Sequence, residues 1–141
     1  ADLFAVDELE EAEALMREAL AGFTRLLDPS ESIIGQLLSA IASLLDGRGN
    51  RAEAIAFGER AIQHLQQHEG IDSWTTHAER LDQAQRLINS NRQAQAAALL
   101  DAVQNSLEAN SDPDEDDQAL LQKARELRQT IEGCSGPCLG T

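Results

Sequence analysis

The sequence predicts an all-α fold, a short α-solenoid of antiparallel helical hairpins with about six helices. Three observations carry that prediction. Ala, Leu, Glu, Gln and Arg are strong helix formers and dominate the composition, and three prolines interrupt little helix in 141 residues. Between turn signals the apolar residues recur with the helical period. The chain also repeats itself at an offset of 42 residues. Leu9 to Leu20 overlays Arg51 to Ile62, with Ala12 on Ala54 and Ala19 on Ala61. Gln93 to Val103 follows, with Ala96 and Val103 in the same two positions.

The first helix is expected over 7–27, ending at Asp28-Pro29, because the residue before proline is pushed out of the α region. Helices over 32–46 and 51–68 make a hairpin about Gly49. Helices over 73–89 and 92–109 make the next about Asn91, at the repeat offset from Gly49, and both residues tolerate positive φ. Asp112-Pro113 ends the fifth helix at twice the repeat offset from Asp28-Pro29, with Gly70 at the intermediate position. The sixth helix, over 115–132, lines one face with Leu120, Ala124, Leu127 and Ile131. Gln122, Lys123, Arg125, Glu126, Arg128 and Gln129 make the rest polar, as a capping helix requires. The first helix then reads as the second half of a hairpin whose partner is missing or reduced to residues 1–6. Residues 1–133 read as one repeat domain and 134–141 as a tail.

The stretch Leu9-Glu-Glu-Ala-Glu-Ala-Leu-Met-Arg-Glu-Ala-Leu20, with Leu38, Ile41, Ala42, Leu45, Gly49, Ala54 and Ala61, resembles the tetratricopeptide repeat family in its longer, kinesin-light-chain-like variety. The resemblance spans roughly residues 7–133 and implies a right-handed solenoid that binds proteins in a concave groove. In the second unit the implied groove positions are Gln36, Ser39, Ser43 and Asp46. The third unit departs from the pattern, with Arg80 and Gln83 where aliphatic residues are expected.

A formal charge of −14 with one lysine opposes nucleic acid and anionic membrane, which demand clustered cations. No apolar run is long enough to span a bilayer. Asp112, Asp114 and Asp116 have the spacing of the first EF-hand ligands, but Asp117 replaces the glycine and Lys123 the bidentate glutamate. Those carboxylates read better as a helix cap. His64 and His68 are one turn apart and His77 follows, yet no further ligand completes a metal site. Without a nucleophile elbow or a phosphate loop, no enzyme, metal or cofactor is expected.

Cys134 and Cys138 are close enough for one small disulfide loop, with free or modified thiols and half of a metal site as the alternatives. The disulfide reading places the chain in a secreted, extracellular or periplasmic setting, the alternative being cytoplasmic. Leu3, Phe4, Val6 and Leu139 are apolar groups outside the repeat pattern. They are expected to form an end-to-end interface between copies of the chain, making a structural, self-assembling subunit of a filament. The alternative is a monomeric adaptor that holds a peptide or partner domain in its groove.

Overall fold

The computed structural model describes residues 2–26 and 32–133, the side chains of residues 2–7, 9 and 32 excepted. Among the described residues there are six helices and no strand. They are α1 (Asp2–Leu26), α2 (Ser32–Gly47), α3 (Arg51–His68), α4 (Trp74–Asn89), α5 (Gln93–Glu108) and α6 (Glu115–Glu132). The expected all-α class and helix number hold. The start of α1 is a correction: residues 2–6 continue the helix instead of forming a short hairpin partner. Neither Pro nor Gly precedes Gly22, so nothing in the sequence stops the helix from extending to Asp2.

The chain divides into two compact units, Ala1–Ile71 and Asp72–Thr141. In the first, α2 packs against both α1 and α3. Ile34, Leu38, Ile41, Ala42 and Leu45 of α2 meet Ala54, Phe57 and Ala61 of α3, and Met16 and Leu20 of α1 close on the same cluster. The three alanines are wholly buried, which lets helix backbones approach closely. In the second unit α4 packs on α5 and α6, and α5 on α6. Leu81, Leu87, Leu100, Val103, Leu120, Ala124 and Leu127 are buried there.

The two hairpin turns are one structure displaced by the repeat. Gly49 has φ 85° and Asn91 φ 60°, the left-handed conformation that glycine and asparagine tolerate best. Asn50 N–H donates to the Leu45 carbonyl as Arg92 N–H donates to that of Leu87, and Ala54 N–H to Asn50 as Ala96 N–H to Arg92. Each pair of bonds is related by the repeat offset. The acidic loop does what was expected of it. Asp114 accepts from Asp117 N–H while the Asp117 carboxylate accepts from Asp114 N–H, a reciprocal capping box that starts α6.

Candidate functional site

The widest departure from a closed core is on α1. Its apolar residues occupy more than one helix–helix contact can cover: Met16 and Leu20 pack on the core, whereas Leu15 is 63% and Leu26 82% exposed. Leu15, Ala19, Gly22 and Leu26 fall within about 60° of one another around the helix, on a flank turned away from Met16 and Leu20. The repeat tells what such a flank is for. Leu15 and Ala19 are equivalent to Phe57 and Ala61 of α3, both buried against α2, the preceding helix of their hairpin. Their counterparts in α5 are Leu99, half-buried, and Val103, wholly buried. On α1 the same positions face no preceding helix among the described residues, so there the flank has the chemistry of a helix-binding surface.

The other side of α1 borders a cleft of about 310 Å³. Leu20, Ile34 and Leu38 give it apolar lining, and Arg60, His64 and Gln67 of α3 a polar wall. The Arg17 and Arg60 guanidinium carbons lie 5.1 and 5.0 Å from the Phe57 ring centre, so both cations are held on one aromatic group. An ion-pair network ties α1 to the hairpin: Glu13 pairs with Arg17 and Arg48, and Arg17 also reaches Glu53 at 2.9 Å. The Arg17 hydrogen bond, against a smaller opposing effect of burial, holds the Glu13 carboxyl below the usual carboxylate range.

The residues singled out by sequence fare differently. Gln36, Ser39, Ser43 and Asp46 share one face of α2, away from the core-facing Leu38, Ile41 and Leu45. Gln36 and Ser43 are exposed, Ser39 and Asp46 half-buried. One Asp46 carboxylate oxygen lies 3.9 Å from Arg51 Nε, too long for a hydrogen bond. The side chains of Leu3, Phe4 and Val6, and Cys134, Cys138 and Leu139, lie outside the described residues. His64 and His68 do meet, ring centres 4.5 Å apart, but among the described residues no third His, Cys, Asp or Glu joins them in a metal-binding group. His77 belongs to the other unit.

What sequence reasoning missed is the polar interior of α4. Thr76, His77, Glu79, Arg80, Gln83 and Arg86 are all buried. Arg86 donates to the Glu79 carboxylate and to Gln83 Oε1, each at 3.0 Å. Arg80 donates to His77 Nδ1 at 2.9 Å. Because a guanidinium only donates, Nδ1 must be the unprotonated nitrogen, and Nε2 carries the hydrogen given to Ser106 Oγ 3.0 Å away. Ser106 in turn donates to Asp72 at 3.1 Å. In this tautomer His77 cannot take a proton from Ser106, so the pair does not make an activated nucleophile. The signal was present as complementary polar residues three and seven positions apart along one helix.

Burial, and then the Arg80 charge, push the His77 pKa below its ordinary 6.5, against the weaker opposing pull of Asp72 and Asp117. The neutral ring is the folded form, whereas the unfolded chain takes up a proton near pH 6.5. Stability should therefore be full above that pH and fall as pH drops below it. The urea midpoint measured from pH 7.5 to 5 is expected to decline in the parent chain and to decline less in His77→Gln. Equal slopes would show that His77 does not carry the effect.

Compared with models of known protein families and with curated protein sequences, the chain matches none. Among the described residues no helix is long and apolar enough to cross a membrane.

Proposed function

We propose that this chain is a non-enzymatic protein-interaction module of tetratricopeptide-like hairpins, and that the open flank of α1 is its docking surface. The observation that carries the reading is the contrast between exposed Leu15 and its buried repeat equivalent Phe57. The same position in the repeat is a helix-binding position, and on α1 it faces outward. A monomeric domain leaves large apolar groups exposed in one stripe at a cost in solubility, so such a stripe marks an interaction surface. The occupant is an amphipathic helix lying along α1, held by apolar contact in the helix-in-groove mode.

A structural, self-associating subunit is the form of this function that the stripe favours, and a monomeric adaptor holding a partner's helix is the alternative. End-to-end growth into a filament needs a second surface, assigned here to the tail with Cys134, Cys138 and Leu139. Mass measurement without reductant reads the state of those cysteines and with it the proposed extracellular setting.

The test uses a labelled peptide of residues 31–50, because it carries the α2 face that the equivalent flank of α3 accepts. Fluorescence anisotropy with the full chain should show saturable binding that Leu15→Glu weakens at least ~30-fold, the effect of putting a charge where an apolar side chain is buried. Binding indifferent to Leu15→Glu would remove the α1 flank as the docking surface, and absence of binding would remove the α2-like helix as its ligand.

A further inference from the structure

We infer that the α1 flank is occupied by the same flank of a second copy, the two α1 helices running antiparallel about a twofold axis. This rests on the reading of that flank as a docking surface and adds the identity of the occupant. The sequence of the stripe is self-complementary. Leu15 and Leu26 lie equally far from the midpoint between Leu20 and Ala21, and Ala19 and Gly22 lie equally far from it on either side. An antiparallel partner centred there sets Leu15 against the partner's Leu26 and Ala19 against its Gly22. Large side chains then meet at the two ends, and the small residues let the backbones approach in the middle.

Charge follows the same symmetry. Glu18 and Arg25 are exposed and adjoin the stripe on one edge of α1. In an antiparallel pair equivalent edges face each other, so Glu18 comes within about 3 Å, two residues' rise, of the level of the partner's Arg25. The contact is made twice by symmetry. A surface of this kind is isologous and closes on itself, giving a dimer and not a chain of subunits. The last helix does not repeat the apolar face of α2. The α6 positions equivalent to Leu38, Ile41, Ala42 and Leu45, displaced by twice the repeat, are Gln122, Arg125, Glu126 and Gln129, all exposed.

Sedimentation of the full chain under reducing conditions tests the inference, with circular dichroism to verify that each variant keeps its helix content. The parent chain is expected to dimerise. Leu15→Glu should weaken the dimer at least ~100-fold, because each dimer loses two buried leucines. Glu18→Arg and Arg25→Glu should each weaken it by roughly 3–10-fold, and the double variant carrying both should recover most of that loss. That rescue is the readout that a generally sticky helix would not give. A parent chain that stays monomeric at about 100 µM, a concentration at which any dissociation constant in the micromolar range would register, overturns the dimer. So does a dimer untouched by Leu15→Glu, or a double variant no tighter than the singles. If the chain is monomeric and the 31–50 peptide still binds with Leu15 dependence, the docking flank stands and the second copy is rejected as its occupant. Failure of the peptide beside a dimer showing the charge rescue rejects the α2-like helix as ligand and leaves the twofold pairing in place.

Discussion

Replacing Glu79 by alanine is expected to destabilise the protein by about 3–5 kcal/mol, the cost of leaving one partner of a buried ion pair behind. Glu79 and Arg86 both have side chains only 4% exposed, with 3.0 Å between charged atoms. Desolvating the guanidinium is tolerable because the carboxylate and the Gln83 carbonyl oxygen both accept from it. Removing the carboxylate takes away the opposing charge and leaves the desolvation. Glu79→Gln keeps an acceptor and should cost less. The joint replacement Glu79→Met with Arg86→Met removes both charges while keeping volume, and should recover much of the loss. Urea denaturation followed by circular dichroism measures all three. If the joint variant is as unstable as Glu79→Ala, volume and hydrogen bonding elsewhere in α4 matter more than the charge pair.

The helices were legible because each carries a long apolar stripe between residues that end helices. Gly49 and Asn91 marked both hairpin turns, since few other residues take positive φ without strain. The N-terminal boundary of α1 was not legible in the same way. Residues 2–6 carry no breaker, and allowing for a reduced hairpin partner there, as one of two readings, placed repeat symmetry above local propensity. The α4 interior escaped because Arg80, Glu79 and Arg86 ordinarily mark a solvated face. Each is an interior residue with a partner on the same helix, and periodicity alone does not weigh partners. The α1 flank lay between these cases. The overlay of Ala19 on Ala61 was visible in the sequence, but that Ala61 is wholly buried against α2 is a fact of packing. Only the two together single out Leu15 among the apolar residues as a candidate docking residue.

The second large effect is expected at Ile41. Ile41→Ala should cost about 2–5 kcal/mol, combining lost apolar transfer with the cavity left behind. The side chain is wholly buried in a cluster that joins α2 to α3, with Met16 and Leu20 of α1 packed on it. Its neighbourhood argues for the upper part of that range. Ala42, Ala54 and Ala61 are themselves wholly buried, and an alanine has no rotamer with which to fill a vacated space. Collapse would have to come from helix movement. The hairpin resists this because α2 and α3 are joined by a turn held by the Asn50 to Leu45 and Gly49 to Asp46 backbone bonds. Ile41→Val deletes a single methylene and is expected to cost about 0.5–1.5 kcal/mol. Gln36→Ala, on the exposed face of the same helix, should stay within about 0.5 kcal/mol of the parent. Thermal and urea unfolding of the three variants checks the order. An Ile41→Ala midpoint as close to the parent as that of Gln36→Ala would mean that the α2–α3 contact does not hold this unit together, and the helix-binding role assigned to the equivalent flank of α1 would lose its physical basis.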